Sequence, residues 1–387
     1  MMNFADRVST LEPEGAYAVL ARAQALEAEG REIIHLEIGQ PDFQTFPQIS
    51  LSGIGAITAG YTRYNPPAGL PRLRETVAAD AGARRGVQFR PEQVVIGPGA
   101  KPGLFFTTLA LVQPGDEVIY PDPGFPTYRA MIEVAGGVPV PVPLLEENNF
   151  SFDLQAFDRS LSTKTKLVIL NSPANPTGGV MPLADLEHIA SAAQAHGFWV
   201  LTDEIYARLA YEGQPVPSIV SLPAMAQRTI LVDGFSKTYA MTGWRLGYAI
   251  MPEALAERVM LLLTHSVGCT ATFTQMAGVE ALTGSQAMAD AVVVEYQRRR
   301  DRMVAGLNAI PGVRCRSPQG AFYVFPNVQA FGLPSRDLAR RLLDEAGVAV
   351  LSGTDFGRFG EGYLRLCYAT SPENIDRALE RISRVLC

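Results

Sequence analysis

Lysine is nearly absent from this chain of 387 residues: of 33 basic residues only Lys101, Lys164, Lys166 and Lys237 are lysines, the other 29 being arginine. Cysteine is equally scarce. Cys269, Cys315, Cys367 and Cys387 are scattered, with no Cys-x-x-Cys pair, which argues for free thiols in a reducing cytoplasm and against a zinc site. No apolar run approaches the roughly 18 residues that span a bilayer. The opening Met1-Met-Asn-Phe-Ala-Asp6 lacks the basic-then-apolar order of a secretory leader. Positive charge is short as well, and a net charge of −6 argues against a nucleic-acid partner. The one basic run, Arg298-Arg-Arg-Asp-Arg302, reads as the wet face of a helix.

What is present is the composition of a globular enzyme, 47% apolar and 19% charged. The length predicts about two domains. Val94–Ile96, Glu117–Tyr120, Lys166–Leu170, Phe198–Thr202, Thr229–Val232 and Gly247–Ile250 read as buried strands. Amphipathic stretches such as 103–112 and 183–196 lie between them. That alternation predicts an α/β fold: a mostly parallel sheet with helices on both faces. Near residue 285 the pattern changes to a long Arg-rich helix over 287–309, strands at 321–325, 348–351 and 363–367, and helices from Ser335 and Ser371. Residues 46–284 are therefore expected to form a large domain. Residues 285–387, with the N-terminal segment 1–45, are expected to form a smaller α+β one.

Lys237 follows the apolar run that ends at Asp233, presented at a small-residue turn. A partly buried lysine can shed its proton and attack a carbonyl, which arginine cannot do. Three further features sit at strand ends. In Ile96-Gly-Pro-Gly-Ala-Lys-Pro102, the amides of Gly99, Ala100 and Lys101 can form an anion nest at a helix N-terminus, although the segment taken alone reads better as a plain turn. The segment matches neither the dinucleotide nor the ATP phosphate-loop pattern. Asp203 ends the strand of Phe198–Thr202, where open sheets bind ligands, or else caps a following helix with Glu204 in its first turn. Asn171-Ser-Pro-Ala-Asn175-Pro-Thr-Gly178 is ordinary turn chemistry that also places two amides at a strand end. Together they point to a phosphorylated aromatic cofactor.

In order along nearly the whole chain stand Gly39-Gln-Pro-Asp-Phe43, Tyr64-Asn-Pro-Pro-Ala-Gly69, Gly99-Ala-Lys101, 171–178, Asp203-Glu-Ile-Tyr206, Ser236-Lys237 through Gly243-Trp-Arg245-Leu-Gly-Tyr248, and Arg365-Leu-Cys-Tyr-Ala-Thr370. This series resembles the fold-type I pyridoxal-phosphate enzymes, specifically the class I/II aminotransferase family that includes bacterial aspartate and aromatic aminotransferases. The resemblance implies transamination between an L-amino acid and a 2-oxo acid, with pyridoxal 5'-phosphate bound covalently at Lys237. Asp203 would pair with the pyridine nitrogen, Tyr206 and Asn175 with the ring oxygen, and Phe125 would stack on the ring. Gly99, Ala100, Lys101 and Arg245 would hold the phosphate. Tyr64 would reach it from a neighbouring subunit, implying a homodimer. Arg365, with Gly39 and Asn175, would grip the substrate carboxylate.

Some positions depart from the family's pattern. Gly234 stands where many members carry a phosphate-binding serine, and Ala100 and Pro102 are unusual in the nest. No second cation for a distal carboxylate is evident: Arg22, Arg63 and Lys101 are candidates without an assigned place. Glu14-Gly15 is unfamiliar near the substrate side chain. Two other readings stay open, a C–S lyase on the same fold and a non-catalytic ligand-sensing domain.

Overall fold

The computed structural model describes residues 5–9, 11–213 and 215–387. Residues 1–4 of the segment read for a leader lie outside the described residues. Its centre is an eight-stranded sheet: β1 (Val94–Gly97), β2 (Glu117–Asp122), β3 (Val138–Leu145), β4 (Ser151–Phe152), β5 (Thr165–Asn171), β6 (Trp199–Asp203), β7 (Thr229–Gly234) and β8 (Gly247–Ile250), in spatial order β1-β8-β7-β6-β5-β2-β3-β4. Neighbouring pairs from β7 through β3 run parallel. β8 runs antiparallel to both its neighbours, and β4 antiparallel to β3. The α/β expectation of a mostly parallel sheet therefore holds.

Alternation along the strands sends side chains to opposite faces. Val118, Leu167, Ile169 and Leu201 pack under the helices Lys101–Leu111 and Glu253–Thr264. Ile119, Val168, Leu170 and Val200 pack under Leu183–His196. Both faces are thus dry, as a parallel sheet requires.

β3 escaped the sequence reading because it runs Val-Pro-Val-Pro-Val-Pro-Leu-Leu. Its Val138 N–H donates to Asp116 O at 2.8 Å, so the intervening Pro139, Pro141 and Pro143 turn their missing donors away from β2. β4 pairs only with residues 144 and 145, which leaves that side open where proline is tolerated.

Beyond residue 285, Tyr323–Val324, Leu364–Cys367 and Leu351–Ser352 form a small antiparallel sheet. Ile34–His35 pairs in parallel with Val348–Ala349. Ala23 and Leu26 of the helix Gly15–Ala28 share a cluster with Leu343 and Ala349. That pairing supports our proposed division into 46–284 and 1–45 with 285–387, although one apolar cluster runs through both, from Leu231 to Leu366.

The basic run needs correction. In the helix Ala287–Asn308 the 3.6-residue period turns Arg299 and Arg300 inward with Tyr296 and Met303, leaving Arg298 and Arg302 in water. Arg299 pairs with Asp42 at 2.7 Å and Glu295 at 2.8 Å. Arg300 pairs with Glu212 at 2.5 Å and donates to Pro318 O. These arginines are internal ties between the parts of the chain.

A second buried network lies behind the strand ends. Arg85 meets Glu204 at 2.8 Å and Asp233 at 3.3 Å, with Arg84 and the Tyr248 hydroxyl also on Asp233. Replacing Arg85 with methionine would leave two buried carboxylates short of a partner, which costs roughly 3–5 kcal/mol for a broken buried pair. Urea unfolding of Arg85→Met should show that loss. A change under about 1 kcal/mol would mean the network is not a structural tie.

Candidate active site

The site is a cavity of about 780 Å³ at the carboxyl ends of β5, β6 and β7, closed by residues 38–40 and by Tyr323 and Arg365. Of the residues singled out from sequence, Gly39, Ala100, Lys101, Phe125, Asn175, Asp203, Tyr206, Lys237, Arg245 and Arg365 all line it. Gly99 lies against it through Arg245. Tyr64 does not line it; that side chain is 99% exposed on the surface.

Lys237 follows β7 by three residues, and its Nζ donates to Gly39 O at 2.6 Å. It lies 5.8 Å from the Tyr206 ring and 5.6 Å from the Phe322 ring. Burial brings its amine down to about 8, the nearby Arg365 and Arg245 charges adding to the effect against an opposing influence of Cys367. Gly39 must be glycine, because a Cβ there would lie 2.0 Å from the Tyr323 hydroxyl.

Asp203 closes β6 and is buried. Its Oδ2 accepts from the Tyr128 hydroxyl at 2.8 Å and its Oδ1 from Ile205 N–H at 3.2 Å. Burial lifts its carboxyl to about 6, opposed by those two donors. The capping alternative survives only as this local turn; no helix follows, and Glu204 turns into the arginine network instead. Among the described residues no cation pairs with Asp203, whereas its neighbours Glu204 and Asp233 both hold guanidinium groups.

Asn171 ties the loop after β5 to this strand: its Nδ2 donates to Asp203 O at 2.9 Å, and its Oδ1 accepts from Asn175 N–H at 2.8 Å. Tyr206 and Tyr323 share a hydroxyl hydrogen bond of 2.7 Å. Burial holds both phenols above their ordinary value.

Arg365 is 4% exposed. Its guanidinium lies 4.6 Å from the Tyr323 ring and 5.0 Å from the Phe356 ring. One Nη donates to Glu37 O and the other to Asn175 Oδ1 at 3.4 Å, while its buried Nε has no partner. A buried donor without an acceptor is costly and calls for an explanation.

At the other wall, Gly99 takes φ +92°, and a Cβ there would come 2.4 Å from Arg245 Nη2. A Cβ on Gly247 would likewise meet the Gly99–Ala100 peptide at 2.5 Å. The cradle is therefore built by close backbone approach at the start of the helix Lys101–Leu111. It differs from expectation in one donor: the Gly99 amide already donates to Gly97 O at 2.8 Å, so the free N–H groups are those of Ala100 and Lys101. Arg245, in the left-handed region at φ 54°, aims its guanidinium back over Gly99 and Pro98 O. At Gly234 a Cβ would stand only 3.0 Å from Gly247 Cα, so the missing serine is matched by tight strand packing.

Two participants were missed from sequence, Tyr128 and Tyr323. Tyr128 stands three residues after Phe125, on the helix Thr127–Val134, a spacing that could have flagged it. Of the proposed distal cations, Arg22 is spent on Asp344 at the surface and Arg63 does not line the cavity. Lys101 does line it, and its Nζ is ion-paired with Glu14.

Known proteins resemble this chain over its whole length. The profile described as aminotransferase class I and II matches residues 31–382. The chain is 38% identical to an aspartate aminotransferase of Pyrococcus horikoshii, over 99% of this chain and 97% of that one. It is 37% identical to aromatic-amino-acid aminotransferase 2 of Thermococcus litoralis, over 100% and 98%. Among solved structures, the aspartate aminotransferase from Thermus thermophilus with maleate superposes at a TM-score of 0.94, with 39% identity and full coverage of both chains. The fold is that of the fold-type I transferases, and the chain belongs to the class I and II aminotransferase family.

Proposed function

We propose that this aminotransferase moves an amino group between an L-amino acid and a 2-oxo acid, using pyridoxal 5'-phosphate held covalently by Lys237. The observation that carries the reading is one cavity holding a buried amine, a buried carboxylate without a cation and a buried guanidinium with an unpartnered Nε. That set fits the group: an aldehyde for the amine, a protonated ring nitrogen for Asp203, and a phosphate for the Ala100 and Lys101 amides. When bound, the cofactor supplies a carbonyl for condensation with amines and a ring that withdraws electrons from the substrate Cα.

The side chains then divide the work. Asp203, whose charge is held by the Tyr128 hydroxyl, would keep the ring nitrogen protonated. Tyr206 and Asn175 would donate to the ring oxygen, and Phe125 would cover the ring. Arg245 adds positive charge beside the Gly99–Lys101 turn. Arg365 takes the substrate α-carboxylate with Asn175 and the Gly39 backbone, which orients the Cα–H bond. Lys237 Nζ, neutral in part near pH 7, takes the Cα proton as a general base. The relatives and solved structures matched above are aminotransferases, which favours this chemistry over the lyase alternative and over a ligand sensor.

A homodimer is supported by a stripe on the helix Pro47–Thr58, where Leu51, Ile54 and Ile57 are 66%, 59% and 50% exposed. Such a stripe asks for a partner, and the full exposure of Tyr64 agrees with a role in a neighbouring subunit. Four free cysteines favour a reducing cytoplasm. Among the described residues no helix is long and apolar enough to cross a membrane.

The test of the reaction is Lys237→Ala. Turnover of amino donor with oxo acid should fall beyond the roughly 10²–10⁴-fold of general-base catalysis alone; activity near wild type would refute the assignment. Mixing these chains with Tyr64→Phe chains tests the shared site. A cross-subunit Tyr64 gives hybrids with one intact site and regained activity, whereas a Tyr64 serving its own chain leaves a lesion in every site.

The lowered amine predicts a pH dependence. Apoprotein should take up pyridoxal phosphate about tenfold faster at pH 9 than at pH 7, because Lys237, titrating at about 8, attacks only when neutral. A flat or falling profile in stopped-flow absorbance would contradict the burial effect.

A further inference from the structure

Transamination leaves the side chain of the amino acid open, and family membership does not choose it. The start of the helix Gly15–Ala28 brings Glu14, Ala16, Tyr17 and Leu20 to the cavity wall. Lys101 Nζ donates to Glu14 Oε1, and Thr127 Oγ1 lies 3.5 Å from the same oxygen. The ammonium also sits 5.1 Å from the Phe125 ring, so the ion pair is at the edge of the aromatic surface where substrate is handled.

The cavity lining holds two further cations besides Lys101 and Lys237. Arg365 is committed to Glu37 O, Asn175 and the α-carboxylate, and Arg245 to Thr242 O and Pro98 O beside the Gly99 turn. Among the described residues of one chain, Lys101 is thus the lining cation left for a distal carboxylate, and this chain has matched it with a carboxylate of its own. Gly15 gives the segment its close approach, since a Cβ there would lie 2.6 Å from Asp355 Cγ, a carboxylate paired with Arg336 at 3.5 Å. The rest of this wall is apolar, with Leu20 and Ile38 beside Tyr17, whose side chain is 64% exposed.

Resting on the transamination reading, we propose that Glu14 determines specificity: by occupying Lys101 it selects amino acids with uncharged aliphatic or aromatic side chains and rejects dicarboxylates. A distal carboxylate would have to displace Glu14 from Lys101 or leave two carboxylates sharing one ammonium. Like charges so placed weaken binding of the wrong partner. An apolar side chain keeps the Glu14–Lys101 pair intact and covers Tyr17, Leu20 and Ile38.

The experiment measures kcat/KM of the holoenzyme for leucine, phenylalanine, aspartate and lysine as donors, with pyruvate as acceptor throughout. Wild type should favour leucine or phenylalanine over aspartate by at least about tenfold. Glu14→Gln should raise the aspartate-to-leucine ratio by about tenfold or more, because it frees Lys101, and the gain should vanish in Glu14→Gln/Lys101→Met. Wild-type preference for aspartate or lysine, a ratio unmoved by Glu14→Gln, or a gain that survives Lys101→Met would each overturn the proposal while leaving transamination standing. Wild type turning over no donor at all would overturn both.

Discussion

Three ionisable groups, Lys237, Asp203 and Arg365, are buried in one cavity without forming ion pairs with one another. Each meets neutral partners: a carbonyl for the amine, a phenol and an amide for the carboxylate, and a carbonyl and an amide oxygen for the two Nη of the guanidinium, whose Nε is left over. Burial without a counter-charge moves Lys237 down to about 8 and Asp203 up to about 6, which brings their proton equilibria close to neutrality. Structural ion pairs would do the opposite. The adjacent Arg84–Arg85–Glu204–Asp233 network shows the contrast, since there each carboxylate meets a guanidinium. A site built this way holds its charges for a ligand, and a phosphorylated pyridine aldehyde with an amino-acid carboxylate would complete it.

The scaffold holds these charges apart by drawing on distant parts of the chain. The sheet supplies Asp203 and Lys237 from the ends of β6 and β7, a few residues from strands that are dry on both faces. Residues 36–39 pass between the two parts: Glu37 O and Gly39 O accept from Arg365 and Lys237 respectively. The region after 285 contributes Tyr323 and Arg365, held by the pairing of Tyr323–Val324 with Leu364–Cys367. Lys237 and Arg365 therefore belong to different parts of the fold, joined through one extended segment. Loss of that segment's glycine would disturb both, since Tyr323 packs where its side chain would be.

Much of this was legible in the sequence where chemistry is local. Apolar runs ending in Asp203 and just before Lys237 located the strands and their functional ends, because parallel strands buried on both faces read as continuous hydrophobic stretches. The alternating prolines of 138–143 hid β3, since their harmlessness depends on an open side that only the tertiary arrangement creates. Arg299 and Arg300 looked solvated because charge suggests water, yet their acidic partners Asp42 and Glu212 lie far away in the chain. The same holds for Tyr206 with Tyr323, 117 residues apart, and for Lys101 with Glu14, 87 apart. Motifs reveal which residues meet a shared cofactor; the pairings that decide proton affinity and side-chain preference are made by folding.

All of this chemistry needs one covalent bond, between Lys237 Nζ and the cofactor. Borohydride treatment of the purified holoprotein followed by tryptic digestion should leave a reduced pyridoxyl group on the 229–245 peptide, which keeps Lys237 internal because a modified lysine resists cleavage. A label on a peptide carrying Lys101, Lys164 or Lys166, or no label at all, would contradict it.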